Sequence, residues 1–318
     1  MKSDMPLFAA VDLGSNAFRM MIGQPVKRDQ RMVIQEVKTL REPVRLAEGF
    51  QGKALDHLAL QRGWLALERF GKRLKHFEAG RVRAVATSAV REAENGGLFL
   101  AGAEDRLGFA IDVISGREEA KLVYAGVAHT MPDDIPRLVV DIGGGSTELI
   151  VGQGARPLLT QSIAIGSGTF SKRYFAGGHV SALALQEAER AAIERFEKIA
   201  QRYRKLGWQQ AIGSSGTARM LAKLIKLNGL NSFGETGITY AALLRLSVLL
   251  LEAGHVQQLR LVGLQSQRLS TLPGGLAIML AAFKVFAIEA MQPSEPGLRM
   301  GVLHGLVGLH SQPFQHWA

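Results

Sequence analysis

The sequence predicts an α/β protein made of two related domains, and three observations carry that expectation. Its 318 residues suit two domains. One signature occurs twice: Phe8 to Gly23 resembles Arg137 to Gly152, with Asp12 and Asp141 at matching places 129 residues apart. Around these copies, short apolar runs alternate with stretches of helical period. Each copy is an apolar run, then Asp-[Leu/Ile]-Gly with small polar residues, then a second apolar run. That pattern reads as two buried strands joined by a tight turn, and two such hairpins imply two related domains facing each other.

The elements follow in order. After the first hairpin, Gln61 to Phe77 has helical spacing with basic residues on its outer side, among them Arg69, Lys72, Arg73 and Lys75. Arg81 to Thr87 and Phe109 to Ser115 read as strands. Tyr124 to Pro136 is the weak spot where a boundary falls, with Pro132 to Pro136 a loop. After the second hairpin, Ala192, Phe196, Ile199, Ala200 and Tyr203 line one face of a helix from Gln186 to Leu206. Ala218 to Leu227 reads as another helix. Ala241 to Ala253 and Leu276 to Ala290 are apolar runs interrupted by Arg245, Glu252, Lys284 and Glu289. They fall short of the roughly 18 residues a membrane span needs and read as buried core helices. The expected domains are 1–123 and 124–299, with a C-terminal helix over 300–318 packing back on the first.

Lys plus Arg number 38 and Asp plus Glu 28, a net charge of +10. Such an excess favours a polyanionic partner, whether nucleic acid, an anionic membrane surface or a phosphate-rich small molecule, and it equally serves solubility. There are no cysteines, which excludes disulfides, cysteine-ligated zinc, iron–sulfur clusters and thiol catalysis. No signal peptide is visible, because Asp12 breaks the first apolar stretch, and a cytoplasmic location is the simplest expectation.

Four segments carry chemistry. In Asp141-Ile-Gly-Gly-Gly-Ser-Thr-Glu148, the glycines Gly143, Gly144 and Gly145 free backbone N–H groups to converge on an anion. Asp141 and Glu148 flank the turn, so a hairpin sets like charges against each other unless a cation intervenes. Magnesium suits sparse carboxylates completed by phosphate oxygens. In the first copy the equivalent pair is Asp12 and Arg19, which neutralise each other, so the metal is placed mainly on the second loop. No Gly-x-x-x-x-Gly-Lys-[Ser/Thr] occurs, and the glycine turn runs into a strand, which excludes a Walker loop and a Rossmann fingerprint.

In the second segment, Ser115 and Glu118 have capping-box spacing. Glu119 then has no capping duty and is a candidate general base, or a charge favoured by the helix N-terminus. Third, Thr87, Ser88 and Arg91 sit where a strand end meets a helix, suited to clamping phosphate, although capping accounts for either hydroxyl equally well. Fourth, Gly213, Ser215, Gly216 and Thr217 form a further glycine–hydroxyl turn whose N–H groups and hydroxyls suit a phosphate or a nucleoside, and Gly166-Ser-Gly168 a weaker one. His304, His310 and His316 are six apart, which fits neither a zinc motif nor one helix face, and read as tail residues.

With these residues in view, the chain resembles the exopolyphosphatase / guanosine pentaphosphate phosphohydrolase family. The motifs are Val11 to Asn16, Ala86 to Arg91, Ser115 to Ala120, Asp141 to Glu148, Gly213 to Thr217, Gly275 to Ile278 and Gly297 to Arg299. The resemblance implies two ribonuclease-H-like domains of the actin/hexokinase/heat-shock-ATPase superfamily with a cleft between them. It also implies magnesium-assisted hydrolysis of the terminal phosphate of inorganic polyphosphate, or in some members of the 5′-phosphate of pppGpp. Glu119 falls on the family's catalytic glutamate, Arg91 on its phosphate-contacting arginine, and Asp141 and Glu148 on its acidic loop residues. Asp12, Gly14, Ser15 and Asn16, and Gly143 to Ser146, fall on its two phosphate loops. Met300 departs from the glutamate usual after Leu-Arg. The family often forms dimers. No sequence-specific nucleic acid and no membrane are expected as partners. Rival readings are a non-catalytic sensor of polyphosphate or the alarmone, and an ATP-dependent sugar kinase.

Overall fold

The computed structural model describes residues 5–28 and 31–311. They divide into two compact units, residues 5–132 with 296–311, and residues 133–295. The boundary expected after residue 123 lies inside a helix, Gly116–Thr130, and moves to the proline-flanked loop at Pro132. The second boundary falls before Pro296, so Gly297 to Arg299 belongs to the first unit.

Unit 1 opens with strands β1 (Phe8–Leu13), β2 (Phe18–Arg28) and β3 (Arg31–Glu42). The two-residue strands β4 (Phe50–Gln51) and β5 (Ala54–Leu55) lead into helix α1 (His57–Leu74). Then come β6 (Val82–Ala86), α2 (Ser88–Glu92), α3 (Gly96–Leu107), β7 (Ile111–Val113) and α4 (Gly116–Thr130). The sheet order is β3-β2-β1-β6-β7, with the first three strands antiparallel and β1, β6 and β7 parallel.

Unit 2 repeats the plan. Strands β8 (Arg137–Ile142), β9 (Thr147–Gln153) and β10 (Arg156–Ile163) form the antiparallel part. Helices α5 (Ser167–Tyr174) and α6 (Ala182–Leu206) follow, then β11 (Gln210–Gly213), α7 (Gly216–Leu227), β12 (Ile238–Thr239) and α8 (Tyr240–Ala253). Helix α9 (Leu272–Phe286) and β13 (Ala290–Pro293) complete a sheet ordered β10-β9-β8-β11-β13-β12. The chain then returns to unit 1 as α10 (Leu298–Ser311), so the expected residues 312–318 of that helix lie outside the described ones. Both sheets share the strand order of a ribonuclease-H-like domain, placing this chain in the α/β fold class that the resemblance implied.

Period-two alternation decides which face each β1 residue covers. Ala9, Val11 and Leu13 pack with Leu67 and Phe70 of α1 and Phe99 of α3. Phe8 and Ala10 pack on the other face with Met300, Leu303 and Val307 of α10. Met300, where the family pattern has glutamate, is therefore a core residue in this chain. Helix α10 lies so close to α4 that a methyl at Gly301 would overlap the Leu122 carbonyl. In unit 2, every residue of α9 except Lys284 is buried, as a helix apolar on all sides requires. Each large apolar side chain there contributes about 1.5–3 kcal/mol. Together with the preceding turn, Ser266–Phe286 is long and apolar enough to span a membrane, and its most apolar 18 residues are 83% buried within the protein. The apolar run to Ala290 is not one helix. Ala287 adopts a left-handed conformation (φ 50°), ends α9, and lets β13 begin.

Candidate active site

The two hairpins turn through four residues each. Loop 1, residues 14–17, is closed by Leu13 opposite Phe18, and loop 2, residues 143–146, by Ile142 opposite Thr147. In loop 2 the Gly143 N–H donates to the Ser146 carbonyl at 2.8 Å.

The carbonyls of loop 2 are held from one side. Ser167 donates to the Gly143 carbonyl through both its N–H and its Oγ, each at 2.9 Å. The N–H groups of Gly168 and Thr169 donate to the Gly144 carbonyl at 3.0 and 3.2 Å. Across a planar trans peptide, N–H points opposite to C=O. The amides of Gly144 and Gly145 are therefore directed away from α5, as an anion-binding nest requires. A methyl at Gly166 would overlap the Gly144 carbonyl, so only glycine permits this approach.

Loop 1 is held by a different segment. Ala47 N–H donates to the Ser15 carbonyl at 3.0 Å and Arg45 N–H to the Asn16 carbonyl at 2.9 Å. The same trans-peptide geometry turns the amides of Asn16 and Ala17 the other way. Arg45 pays a backbone cost for this, with φ at 53° in the left-handed region. Ser15 Oγ and Ser88 Oγ form a buried hydrogen bond of 2.9 Å, tying loop 1 to α2.

The carboxylates of the two hairpins meet different partners. Asp12 stands opposite Arg19, and its Oδ2 lies 3.8 Å from Nη1 of Arg299 in the first turn of α10. Arg19 in turn stands opposite Arg41 on β3. Burial, with Arg19 and Arg45 alongside, lowers the Arg41 pKa. Asp141 stands directly opposite Glu148, a like-charge pair. Hydroxyls attend them: Ser214 Oγ donates to Asp141 at 2.9 Å and Ser162 Oγ to Glu148 at 2.8 Å. Glu148 is fully buried, which sharpens the cost of its charge. Among the described residues no cluster of three or more metal-ligating side chains occurs. Two carboxylates suit magnesium, which keeps water and substrate oxygens in its remaining positions.

Glu119 is buried in the first turn of α4, and Arg91 Nη1 lies 3.6 Å from its Oε2. Arg91 also donates to the Ile114 carbonyl at 2.7 Å, which anchors the guanidinium beside Glu119. Ser115 Oγ caps α4 by accepting from Glu118 N–H at 3.1 Å. The Glu118 side chain turns to Arg83 at 2.8 Å, so its carboxylate is spent on an ion pair.

Unit 1 thus brings together Asp12, Gly14, Ser15, Asn16, Thr87, Ser88, Arg91 and Glu119 at the carboxyl ends of parallel strands β1 and β6 and the start of α4. Thr87 occupies the N-cap of α2 without a side-chain capping bond, contrary to simple capping. In the Gly213 to Thr217 turn two hydroxyls bond to the protein's own backbone. Thr217 Oγ1 donates to the Ile142 carbonyl at 2.9 Å, Ser215 Oγ caps α7 by accepting from Ala218 N–H, and Gly213 leaves room for Ala218 and Met291. Of this motif it is Ser214 that touches a loop carboxylate. His304 is no tail residue: it lies in α10 with its ring 5.0 Å from that of His129. His310 falls in α10 and His316 outside the described residues. The expected steering charges are partly self-paired, Arg69 with Glu42 and Lys72 with Glu68.

Sequence reasoning missed Arg299, Ser162, Ser214 and the bracing role of Gly166 to Thr169. A signal existed for the last, since Gly-Ser-Gly stands out, but nothing local says that its N–H groups meet another loop.

Solved structures share this fold. An exopolyphosphatase from Cytophaga hutchinsonii ATCC 33406 matches at 24% identity and a TM-score of 0.82, over 95% of this chain and 98% of that one. The Aquifex aeolicus PPX-GPPA enzyme matches at 23% identity and a TM-score of 0.72, over 94% and 100%. The model of the Ppx/GppA phosphatase family matches residues 26–310, a span that holds Arg91, Glu119 and all of loop 2. On that match, the chain belongs to the Ppx/GppA phosphatase family.

Proposed function

We propose that this chain hydrolyses the terminal phosphoanhydride bond of inorganic polyphosphate with magnesium. The observation that carries the reading is loop 2, where two amides directed together sit beside an opposed carboxylate pair. The amides of Gly144 and Gly145 bind phosphate oxygens without reading a base, so a phosphate chain suffices as ligand. Asp141 and Glu148 would hold the magnesium, which when bound neutralises charge on the transferring group. Glu119 accepts the proton of the attacking water, and Arg91 beside it keeps the carboxylate oriented until then. Loop 1 amides and Arg91 add positive potential for a polyanion. The family name, the exopolyphosphatase among the solved relatives and the net charge of +10 support this substrate class.

The test is phosphate release from polyphosphate with magnesium, in wild type and Glu119→Gln. Loss of about a hundredfold or more in kcat is expected for the variant. Equal rates remove Glu119 from its role, and binding without turnover in wild type replaces the enzyme with a sensor. The second reading, pppGpp 5′-phosphohydrolase, draws on the same amides and carboxylates. Side-by-side kcat/KM values for polyphosphate and pppGpp decide between them. A cytoplasmic location and a homodimer accompany the proposal as expectations drawn from the family.

A further inference from the structure

We infer that Ser167, with Gly166 to seat it, is a positioning residue that fixes where the loop 2 amides point. The inference rests on loop 2 being the phosphate site. Four hydrogen bonds from the first turn of α5 end on just two carbonyls, those of Gly143 and Gly144. This turn spends its free N–H groups on the loop, so α5 itself offers no anion site. What it supplies is direction. With both carbonyls captured, the peptide planes of 143–144 and 144–145 cannot flip, and the next two amides stay turned outward together. A free triglycine turn samples many orientations, so each outward amide would otherwise be reached at an entropic cost. The brace is itself fixed. Gly166 N–H donates to the Thr169 hydroxyl, which donates to the Gly166 carbonyl, each at 3.1 Å, and Ser171 Oγ accepts from Gly274 N–H at 3.0 Å. Ser167 is buried and lies behind the loop from the amides, so it acts on a ligand only through them.

The test uses pyrophosphate as probe and glycine amide NMR as readout. In wild type, pyrophosphate with magnesium shifts the Gly144 and Gly145 amide signals. Ser167→Ala removes one of the two bonds on the Gly143 carbonyl. It is expected to displace both amide signals in the free protein and to weaken the pyrophosphate Kd about fivefold. KM for polyphosphate rises by the same factor while kcat holds. Gly166→Ala is expected to exceed this, and Ser167→Ala keeps the test decisive if that variant fails to fold. If wild type responds but Ser167→Ala leaves the free amide signals and the Kd unchanged, the positioning role is overturned while the phosphate site stands. If pyrophosphate moves neither amide in wild type, both the site and the inference drawn from it fall.

Discussion

Loops 1 and 2 are the same turn in two electrostatic settings. Both are four residues long, both follow an aspartate at the end of a central strand, and both have two carbonyls captured from one side. They differ first in which carbonyls are held. Loop 1 is caught at Ser15 and Asn16, so Asn16 and Ala17 present their amides. Loop 2 is caught one place earlier, so Gly144 and Gly145 present theirs. They differ also in charge. Asp12 stands across from Arg19 and pairs with Arg299, whereas Asp141 stands across from Glu148 and is attended by a serine hydroxyl. The lesson is that a duplicated backbone leaves chemistry to the residue seven places along. Arginine there sets opposite charges across the two strands, and glutamate sets like charges.

The sharpest break in this comparison is Glu148→Gln, which removes the like charge and keeps the shape. Hydrolysis should fall about a hundredfold or more. Without magnesium the folded state should become no less stable, because an unfavourable pairing has gone. Wild type should gain thermal stability on adding magnesium, and the variant should not. A magnesium-dependent rise in Tm that survives in Glu148→Gln would take this residue out of the metal site.

Arg299→Met probes the opposite loop. Both partners of the Asp12–Arg299 pair are mostly buried, with side chains 15% and 12% exposed. Removing one should cost roughly 1–3 kcal/mol, measured as a shift of the denaturation midpoint at unchanged m. Ser214→Ala, which takes a hydroxyl from Asp141, should cost less than the arginine variant. Reversal of that order would contradict the view that the Asp12–Arg299 pair contributes more than the hydroxyl on Asp141.

Thr217→Val is smaller again. Its hydroxyl bonds to the Ile142 carbonyl just before loop 2, so about 1 kcal/mol of stability should be lost while KM for polyphosphate stays within about twofold. A large rise in KM with unchanged stability would return Thr217 to the ligand.

The mildest effect concerns pH and confines itself to unit 1. His129 Nε2 accepts the Ile34 N–H at 3.1 Å, which requires that nitrogen unprotonated. Burial, with His304 close by, holds the His129 pKa below the ordinary imidazole value. The unfolded chain therefore takes up this proton first. Stability is full above the unfolded pKa of about 6.5 and falls as pH drops toward the folded value. His129→Gln should flatten that acid limb in urea titrations from pH 7 to 5, and an unchanged slope would show that the imidazole does not set it.

Much of this was legible in the sequence because it is local. A hairpin needs only two apolar runs and a turn, so both loops, the opposed Asp141 and Glu148, and the Asp12–Arg19 pairing follow from counting residues along antiparallel strands. Glu119 was legible by subtraction, as the first-turn glutamate left without a capping duty. The Gly213 to Thr217 turn shows the limit. Its composition suits a phosphate or a nucleoside, but composition does not say that the Thr217 hydroxyl bonds to a carbonyl or that Ser214 reaches Asp141. The division drawn at residue 123 falls inside α4, whereas the units part at the proline-flanked loop that composition also marks.

The sequence alone settled the α/β class, the duplication and the residues at each hairpin, since strand period and turn length are properties of neighbouring residues. Tertiary structure alone decided which carbonyls are captured, hence which amides face outward, and which distant arginine or serine meets each carboxylate. Those partners come from segments 14 to 287 positions away, as with Ser162 on Glu148 and Arg299 on Asp12, and no chain pattern encodes a distance until the core has packed.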